Sequence, residues 1–574
     1  MKVWHFLFLL ITLLTNHFFL SAKTYFVDNK NSRSDNNNSG AMSSPWKTIE
    51  HAVSQVQAGD TIHVASGHYE GFTITTSGNS SSPIVLKGTH QDSVFNLGGF
   101  EFGKGVHHWI VSGFTVKEFN VWGIFIRGEN HHIDLNHLTV QGGEAGIRMT
   151  WGEQGQPPYD GNVSNIRICD SKIGDCVYTA VDGSPGPCNN ILLKNLEVSG
   201  AGGQNSDWGA DGIAIERGDT IVVEDCFVHD NTGDGIDLNS RDFDGDAEGI
   251  LIQRNIVSRN YYSGIKAWGG GNIVNNVVVD QGFVPILIGV FPGVCKILHN
   301  TVAFNMWNSD YAVRNYSFLA SYPNDETHLS AEVQLTLLNN IFAFNSSDQM
   351  GGPTGLYLGE GVKLVEEGNN LYFSRDDGEI EAEFLNDEPW ISREQIRNGE
   401  WTLKTNQGIG NLCLDPDFMS TYPDYDLNLA ATSPAIDAGI AIDTLETDIN
   451  GNPRLQGSSS DMGAIEFQIS STRVCEQSPG QFPQIYSIQN YPNPFNQNTI
   501  LQFELDTRKP VEIQLFNLYG DLVYEWKQQE YEAGVHTLVY SGSDLNGHEI
   551  ASGIYLFLLN LGGVKKSHKI LLIR

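Results

Sequence analysis

Ile191-Leu192-Leu193-Lys194-Asn195, Ile221-Val222-Val223-Glu224-Asp225, Leu251-Ile252-Gln253-Arg254-Asn255, Asn272-Ile273-Val274-Asn275-Asn276 and Lys296-Ile297-Leu298-His299-Asn300 are one phrase written five times. Each is a short β-rich run closed by Asn or Asp. A second short run and a Gly-rich turn follow. The closing positions 195, 225, 255, 276 and 300 lie 30, 30, 21 and 24 residues apart. Asn136 and Asp170 continue the series upstream, and Leu335 to Asn340 continues it downstream. Constant strand phrases at varying separation describe fixed strands joined by loops of different length. Such periods, with strands of three to five residues and little helical patterning, predict a parallel β-helix. Propeller blades would need longer, hairpin-linked strands, and an α/β fold would need helical periods between the runs. The recurring Asn is expected to stack at one corner as a hydrogen-bonded ladder.

The 574 residues carry 34 Lys+Arg against 68 Asp+Glu, a net charge of −34. That balance leaves no basic stripe for nucleic acid and disfavours an anionic membrane surface. With 40% hydrophobic and 10% aromatic residues the chain has the means to build a core. Residues 1–22 read as a secretory signal peptide: Lys2, the apolar run Phe6 to Leu14, and a small residue for cleavage at Ala22. The run is too short to span a membrane, and no later segment is apolar enough. The seven Cys (169, 176, 188, 226, 295, 413, 475) include no CxxC zinc pair. Cys176 and Cys188 are placed to bridge a loop, and most of the others are expected in the core.

The domain boundaries follow: 23–467 a β-helix, 468–485 a linker, 486–574 a separate β-domain. Pro45 to Val53 reads as a short helix over the open end of the solenoid, with Asp60 to Val64 and Gly67 to Tyr69 as its first coil. This entry resembles those of exported right-handed β-helix proteins. The stretch from Asp415 to Glu466 is expected to close the far end, because an uncapped stack is an aggregating edge. Tyr491-Pro492-Asn493-Pro494-Phe495-Asn496, Ala551-Ser552-Gly553-Ile554-Tyr555 and the terminal strand from Lys565 resemble the Ig-like sorting domains of the type IX secretion system. Strands are expected there at 499–506, 511–525, 536–541, 553–560 and 566–573. The resemblance implies an all-β chain, secretion machinery as a partner, and a product secreted from, or held on the surface of, a Gram-negative bacterium. A monomer is expected.

The coils align on a second phrase: Gly123-Ile124-Phe125, Gly146-Ile147-Arg148, Ala180-Val181-Asp182, Gly212-Ile213-Ala214, Gly235-Ile236-Asp237 and Gly264-Ile265-Lys266. With Ile or Val turned inward, its neighbours face solvent. One outward column then reads Phe125, Arg148, Asp182, Ala214, Asp237, Lys266. Asp211 and Asp234 stand two residues before the inward Ile, and a further column holds Glu216 and Trp268. Asp211, Asp234 and Asp237 converge with Lys266 one coil above. Crowded carboxylates in a wet groove ask for a hard divalent cation, Ca²⁺ before zinc or copper. A cation there, together with desolvation, would lower the Lys266 pKa. The same pattern also describes a structural Asp ladder with Lys266 as counter-ion.

Asp234-Gly235-Ile236-Asp237 followed by Gly264-Ile265-Lys266, with Asp211 one coil earlier, resembles the Ca²⁺-dependent pectate lyases of polysaccharide lyase family 9. The resemblance implies Asp211, Asp234 and Asp237 as Ca²⁺ ligands, Lys266 as Brønsted base, and β-elimination on an acidic polysaccharide. It departs at Gly233, where the family has a further Asp; Asn231 or Asp207 are candidate substitutes. Arg148, Arg217 and Arg241 are candidate partners for substrate carboxylates, and Trp268 for a sugar ring. The acidic run Asp242 to Glu248 alternates like a calcium loop but lacks the full EF-hand pattern. Two other classes remain open: a non-catalytic glycan-binding or adhesin solenoid, and a β-helical glycoside hydrolase built on paired carboxylates.

Overall fold

A computed structural model describes residues 22–150, 160–202, 210–238, 249–288, 293–305, 316–320, 333–345, 355–358, 362–373, 382–384, 407–420, 426–442, 445–468 and 488–573, the last with short gaps. The signal segment, Asp207, Arg241, the 242–248 acidic run, Cys475 and nearly all of the 468–485 linker lie outside these residues.

From Thr24 to Phe384 the chain winds as one parallel stack, 31 strands among the described residues. Every strand pairs with its counterpart in the next turn, giving three faces. One face runs through Ile221–Glu224, Leu251–Gln253 and Gly271–Val274. The second runs through Phe227–His229, Ile256–Ser258 and Val277–Val279. The third runs through Ile213–Ile215, Ile236–Leu238 and Ile265–Ala267. The inward Ile, Val and Leu of all three faces form one continuous core from Val27 to Cys413. Helix Ile49–Gln55 buries Ile49, Ala52 and Val53 against the first coils, and the Thr48 side chain accepts the His51 amide at its N-terminus.

The corner between the first two faces separates two rows that the sequence reading had merged. Asn195 and Asp225 sit in a left-handed backbone (φ 53° and 57°), as do Arg254, Asn275 and His299. The interior ladder occupies the next position: Asn255, Asn276, Asn300, Asn340 and Asn370, all fully buried. In it the Asn255 Nδ2 donates to Asn276 Oδ1 at 3.0 Å, Asn276 to Asn300 at 3.0 Å, Asn300 to Asn340 at 3.0 Å and Asn340 to Asn370 at 2.9 Å. The markers 195 and 225 therefore belong to an outer row, one residue out of step with 255, 276 and 300. Asn suits both places, the outer for its tolerance of positive φ and the inner for its paired donor and acceptor. A second ladder, Asn231, Asn260, Gln281, Asn305 and Asn345, lines the other end of the second face.

The segment expected to close the far end makes its described contacts along the flank. Gly463 N donates to Asn339 O, Ala464 N to Thr301 Oγ1, and Asn275 Nδ2 to Thr447 O. Phe418, Leu427, Leu429 and Met462 cover Val277, Ala303, Phe304, Ile341 and Phe344. Outward apolar residues on those coils make the flank sticky, so the segment is drawn sideways.

Residues 488–573 form two antiparallel sheets around Phe495, Phe503, Leu515, Phe557 and Leu572. The stretch 511–525, read as one strand, is divided between Lys509–Asn517 and Leu522–Tyr531, which pair antiparallel. Gly520-Asp521 marks the break in the sequence. All six Cys among the described residues are free thiols. Cys176 and Cys188 do not bridge: both are buried, and burial pushes the Cys176 thiol up to about 12 and the Cys188 thiol higher still. Among the described residues no helix is long and apolar enough to cross a membrane.

Candidate functional site

The Gly-Ile phrase builds the third face because successive turns press together there. A Cβ on Gly212, Gly235 or Gly264 would come within 2.6–2.8 Å of the carbonyl oxygen of the next coil. The following Ile213, Ile236 and Ile265 are fully buried and in register. The register also stacks Phe125 on Arg148, Arg148 on Asp182, Asp182 on Ala214, Ala214 on Asp237 and Asp237 on Lys266. This column was expected to face solvent, yet Phe125 and Asp182 are buried and the rest are partly covered. Neighbouring side chains shield it: Trp122 tilts over Phe125, and Arg148 is ion-paired with Asp182.

Asp211, Asp234 and Asp237 each offer a carboxylate oxygen, all within 4.8 Å of one another. Part of this cluster is indeed a ladder. Asp211 Oδ1 accepts the Asp234 amide at 2.7 Å, and Asp234 Oδ1 accepts the Ser263 amide at 2.7 Å. Each thus commits one oxygen to the coil above and keeps the other. Lys266 Nζ donates to Asp234 Oδ2 at 2.7 Å and to Asp237 Oδ2 at 3.0 Å. Trp268 lies beside it, its ring centroid 5.2 Å from Nζ and its side chain hydrogen-bonded to Asp237.

Burial, then the charges of Asp234 and Asp237, push the Asp211 carboxyl well above the usual range. Burial also raises Asp237, against the opposing pull of Lys266. For Lys266 burial acts downward, but Asp234, Asp237 and Asp211 override it and the ammonium is held above its ordinary pKa. With no cation among them, the three carboxylates around Lys266 outweigh its burial.

Gly233 has a steric reason. A Cβ there would lie 2.4 Å from Asp211 Oδ1 and 2.6 Å from the Ala210 carbonyl carbon, so a side chain at 233 and Asp211 in its present place exclude each other. Asn231 is no substitute ligand: its Oδ1 accepts the Ala201 amide and its Nδ2 donates to Asn260 inside the second ladder. Arg148 is ion-paired with Asp182. Arg217 lies near Glu216, whose pKa its charge lowers. Sequence reasoning placed Glu216 in a column without giving it a role. Burial first, then the charge of Asp182, push its carboxyl up to about 7. Its signal was an acid two residues beyond the Asp237 column in the same groove.

Residues 99–302 match the family model of the right handed beta helix region, and residues 489–573 match that of a secretion system C-terminal sorting domain. A pectate disaccharide-lyase of Dickeya chrysanthemi is 22% identical over 282 residues, 47% of this chain and 32% of that protein. An uncharacterized protein, YwoF of Bacillus subtilis (strain 168), is 23% identical over 290 residues, 40% of this chain and 62% of that one. The chain thus spans less than two thirds of either relative. The crystal structure of pectate lyase Pel9A is 17% identical with a TM-score of 0.38, covering 78% of this chain and 96% of that one. The parallel coils and the two family models together describe a right-handed parallel β-helix followed by a secretion sorting domain, the kind of domain that sends a protein out of the cell or onto its surface.

Proposed function

We propose that the chain is a Ca²⁺-dependent polysaccharide lyase that cleaves a uronic-acid polymer, polygalacturonate foremost, by β-elimination. The observation that carries this reading is the meeting of Asp211, Asp234, Asp237 and Lys266 in one half-buried groove beside Trp268. The donor set fits the cation: oxygens only, crowded until Asp211 is driven well above its ordinary pKa. Asp211, Asp234 and Asp237 would hold it. Bound there, Ca²⁺ supplies neutralisation of the substrate carboxylate and acidification of the C5 proton.

The protein's own groups do the rest. The carboxylate charge that keeps Lys266 protonated is the charge a cation cancels, which leaves burial, the opposing influence, to lower its pKa. Lys266 Nζ then removes the C5 proton; the electron pair forms the C4–C5 double bond and the glycosidic C4–O bond breaks. Glu216 keeps its proton into the neutral range and is the group that supplies one to the departing oxygen. Trp268 offers an aromatic face to a sugar ring.

The test is ultraviolet absorbance of unsaturated uronide from polygalacturonate. Absorbance that grows with Ca²⁺ and stops with chelator supports the reading. None across a panel of uronans overturns it, and reducing ends without absorbance would point to a hydrolase.

Glu216 adds a pH signature. It serves in its protonated form, so its contribution falls as pH rises through about 7. Glu216→Gln is expected to lower kcat by ~10²-fold and to remove that alkaline limb from the rate profile. An unchanged profile would take Glu216 out of the reaction.

A further inference from the structure

A cluster of a different kind sits at the corner where the third face turns into the first, on the coils that begin at His107 and His131. His107-His108 and His131-His132 stand one above the other, His107 in register with His131. Rings of His107 and His131 stack at 4.6 Å and 12°, and those of His108 and His132 at 4.6 Å and 9°. Within each pair the rings face one another nearly at right angles, with Nδ1 to Nδ1 distances of 2.9 Å and 2.8 Å.

Adjacent residues of a strand normally point to opposite faces. Here the second His of each pair has a left-handed backbone, φ 59° at His108 and 55° at His132, which lets both rings emerge on one side. The corner itself imposes that backbone, since Asn165 and Asn190 continue it at 55° and 54° in the next coils. What distinguishes the two lower coils is that each carries an imidazole at both positions.

Two facing ring nitrogens at this distance share either one proton or one metal ion. One ring nitrogen from each of His108, His131 and His132 lies within 4.8 Å of the others. With metal–nitrogen bonds of ~2.0 Å, donors at right angles are ~2.8 Å apart and tetrahedral donors ~3.3 Å apart. The paired nitrogens match the right-angled case, which belongs to Cu²⁺ and Ni²⁺ rather than to zinc. Of these ions Cu²⁺ binds imidazole most tightly. Burial, then the neighbouring rings, hold His108 and His131 below the ordinary pKa. Burial raises the Asp134 carboxyl against the charges of Arg167 and His132, which places a carboxylate beside the cluster.

We propose that His108, His131 and His132 form a surface site for one divalent copper ion, with His107 stacked beside it, separate from the carboxylate cluster. Three coil rises separate His131 from Asp211, ~14 Å along the axis, and the donor chemistry differs: imidazole nitrogen against carboxylate oxygen.

The test uses the full chain, with Cu²⁺ alone as the probe and Ca²⁺ in excess to fill oxygen sites. Titration calorimetry and electron paramagnetic resonance are compared for the wild type and a His108→Asn, His132→Asn double variant. Asn occupies the same left-handed corner in the next coils, so the variant keeps its backbone. The proposal expects one Cu²⁺ per chain, nitrogen hyperfine structure in its spectrum, weaker binding of Zn²⁺, and at least a 100-fold loss of Cu²⁺ affinity in the variant. Action on polygalacturonate should be equal in both proteins. Equal Cu²⁺ affinity in both, a spectrum of oxygen donors alone, or tighter Zn²⁺ than Cu²⁺ would overturn it.

Discussion

Lys266→Arg is expected to leave the solenoid folded and to abolish the unsaturated product, a loss of ~10³-fold or more in rate. Arginine keeps the positive charge between Asp234 and Asp237, so the groove stays compensated. It does not surrender a proton at any working pH, so it cannot serve as a base. Lys266→Ala makes a different prediction. The groove then holds buried carboxylates without their cation, a loss of ~3 kcal/mol in stability. Added Ca²⁺ should restore most of that stability in Lys266→Ala while restoring no activity. Thermal melts with Ca²⁺ and with chelator, run beside the absorbance assay, separate the two roles. A catalytically competent Lys266→Arg protein would remove Lys266 as the base.

The second large effect belongs to the interior ladder. Asn300 accepts the Asn276 amide at 2.9 Å and the Asn276 side chain at 3.0 Å, and donates to Ile273 O at 2.8 Å and to Asn340 Oδ1 at 3.0 Å. All of this is sealed from water. Asn300→Ala orphans a buried N–H and a buried carbonyl, each at about 1–3 kcal/mol, so a loss of ~4 kcal/mol is expected. Asn195→Gly, in the outer row, should cost no more than ~1 kcal/mol, because glycine accepts the left-handed backbone without strain. Denaturant unfolding of the two variants, with amide exchange at Asn276, checks the contrast. Equal losses would mean that the two rows do the same work.

That contrast also marks how far the sequence could be read. Alternation along a strand fixes which side chains turn inward, so the Gly-Ile rows carried the parallel stack and the register of Asp237 under Lys266. It does not say which of two adjacent corner residues is inside, because that depends on a left-handed turn between them, and the Asn markers slipped there by one. Burial of the outward column was hidden for another reason. Arg148 neutralises Asp182, and Trp122 covers Phe125; both contacts join residues that a strand pattern treats separately. The raised Lys266 pKa follows from the number of carboxylates around one ammonium, which appears only after stacking. The paired histidines were visible as letters, but their meaning needed two coils at one corner.

Successive members of the first ladder are 21, 24, 40 and 30 residues apart, yet each link is formed at 2.9–3.0 Å. Lengthening a loop between them costs little, ~0.6 kcal/mol for each doubling. Spine and periphery are therefore free to diverge independently: insertions can remodel the approach to the groove, and with it the polymer admitted, while the axle on which the coils turn stays as it is.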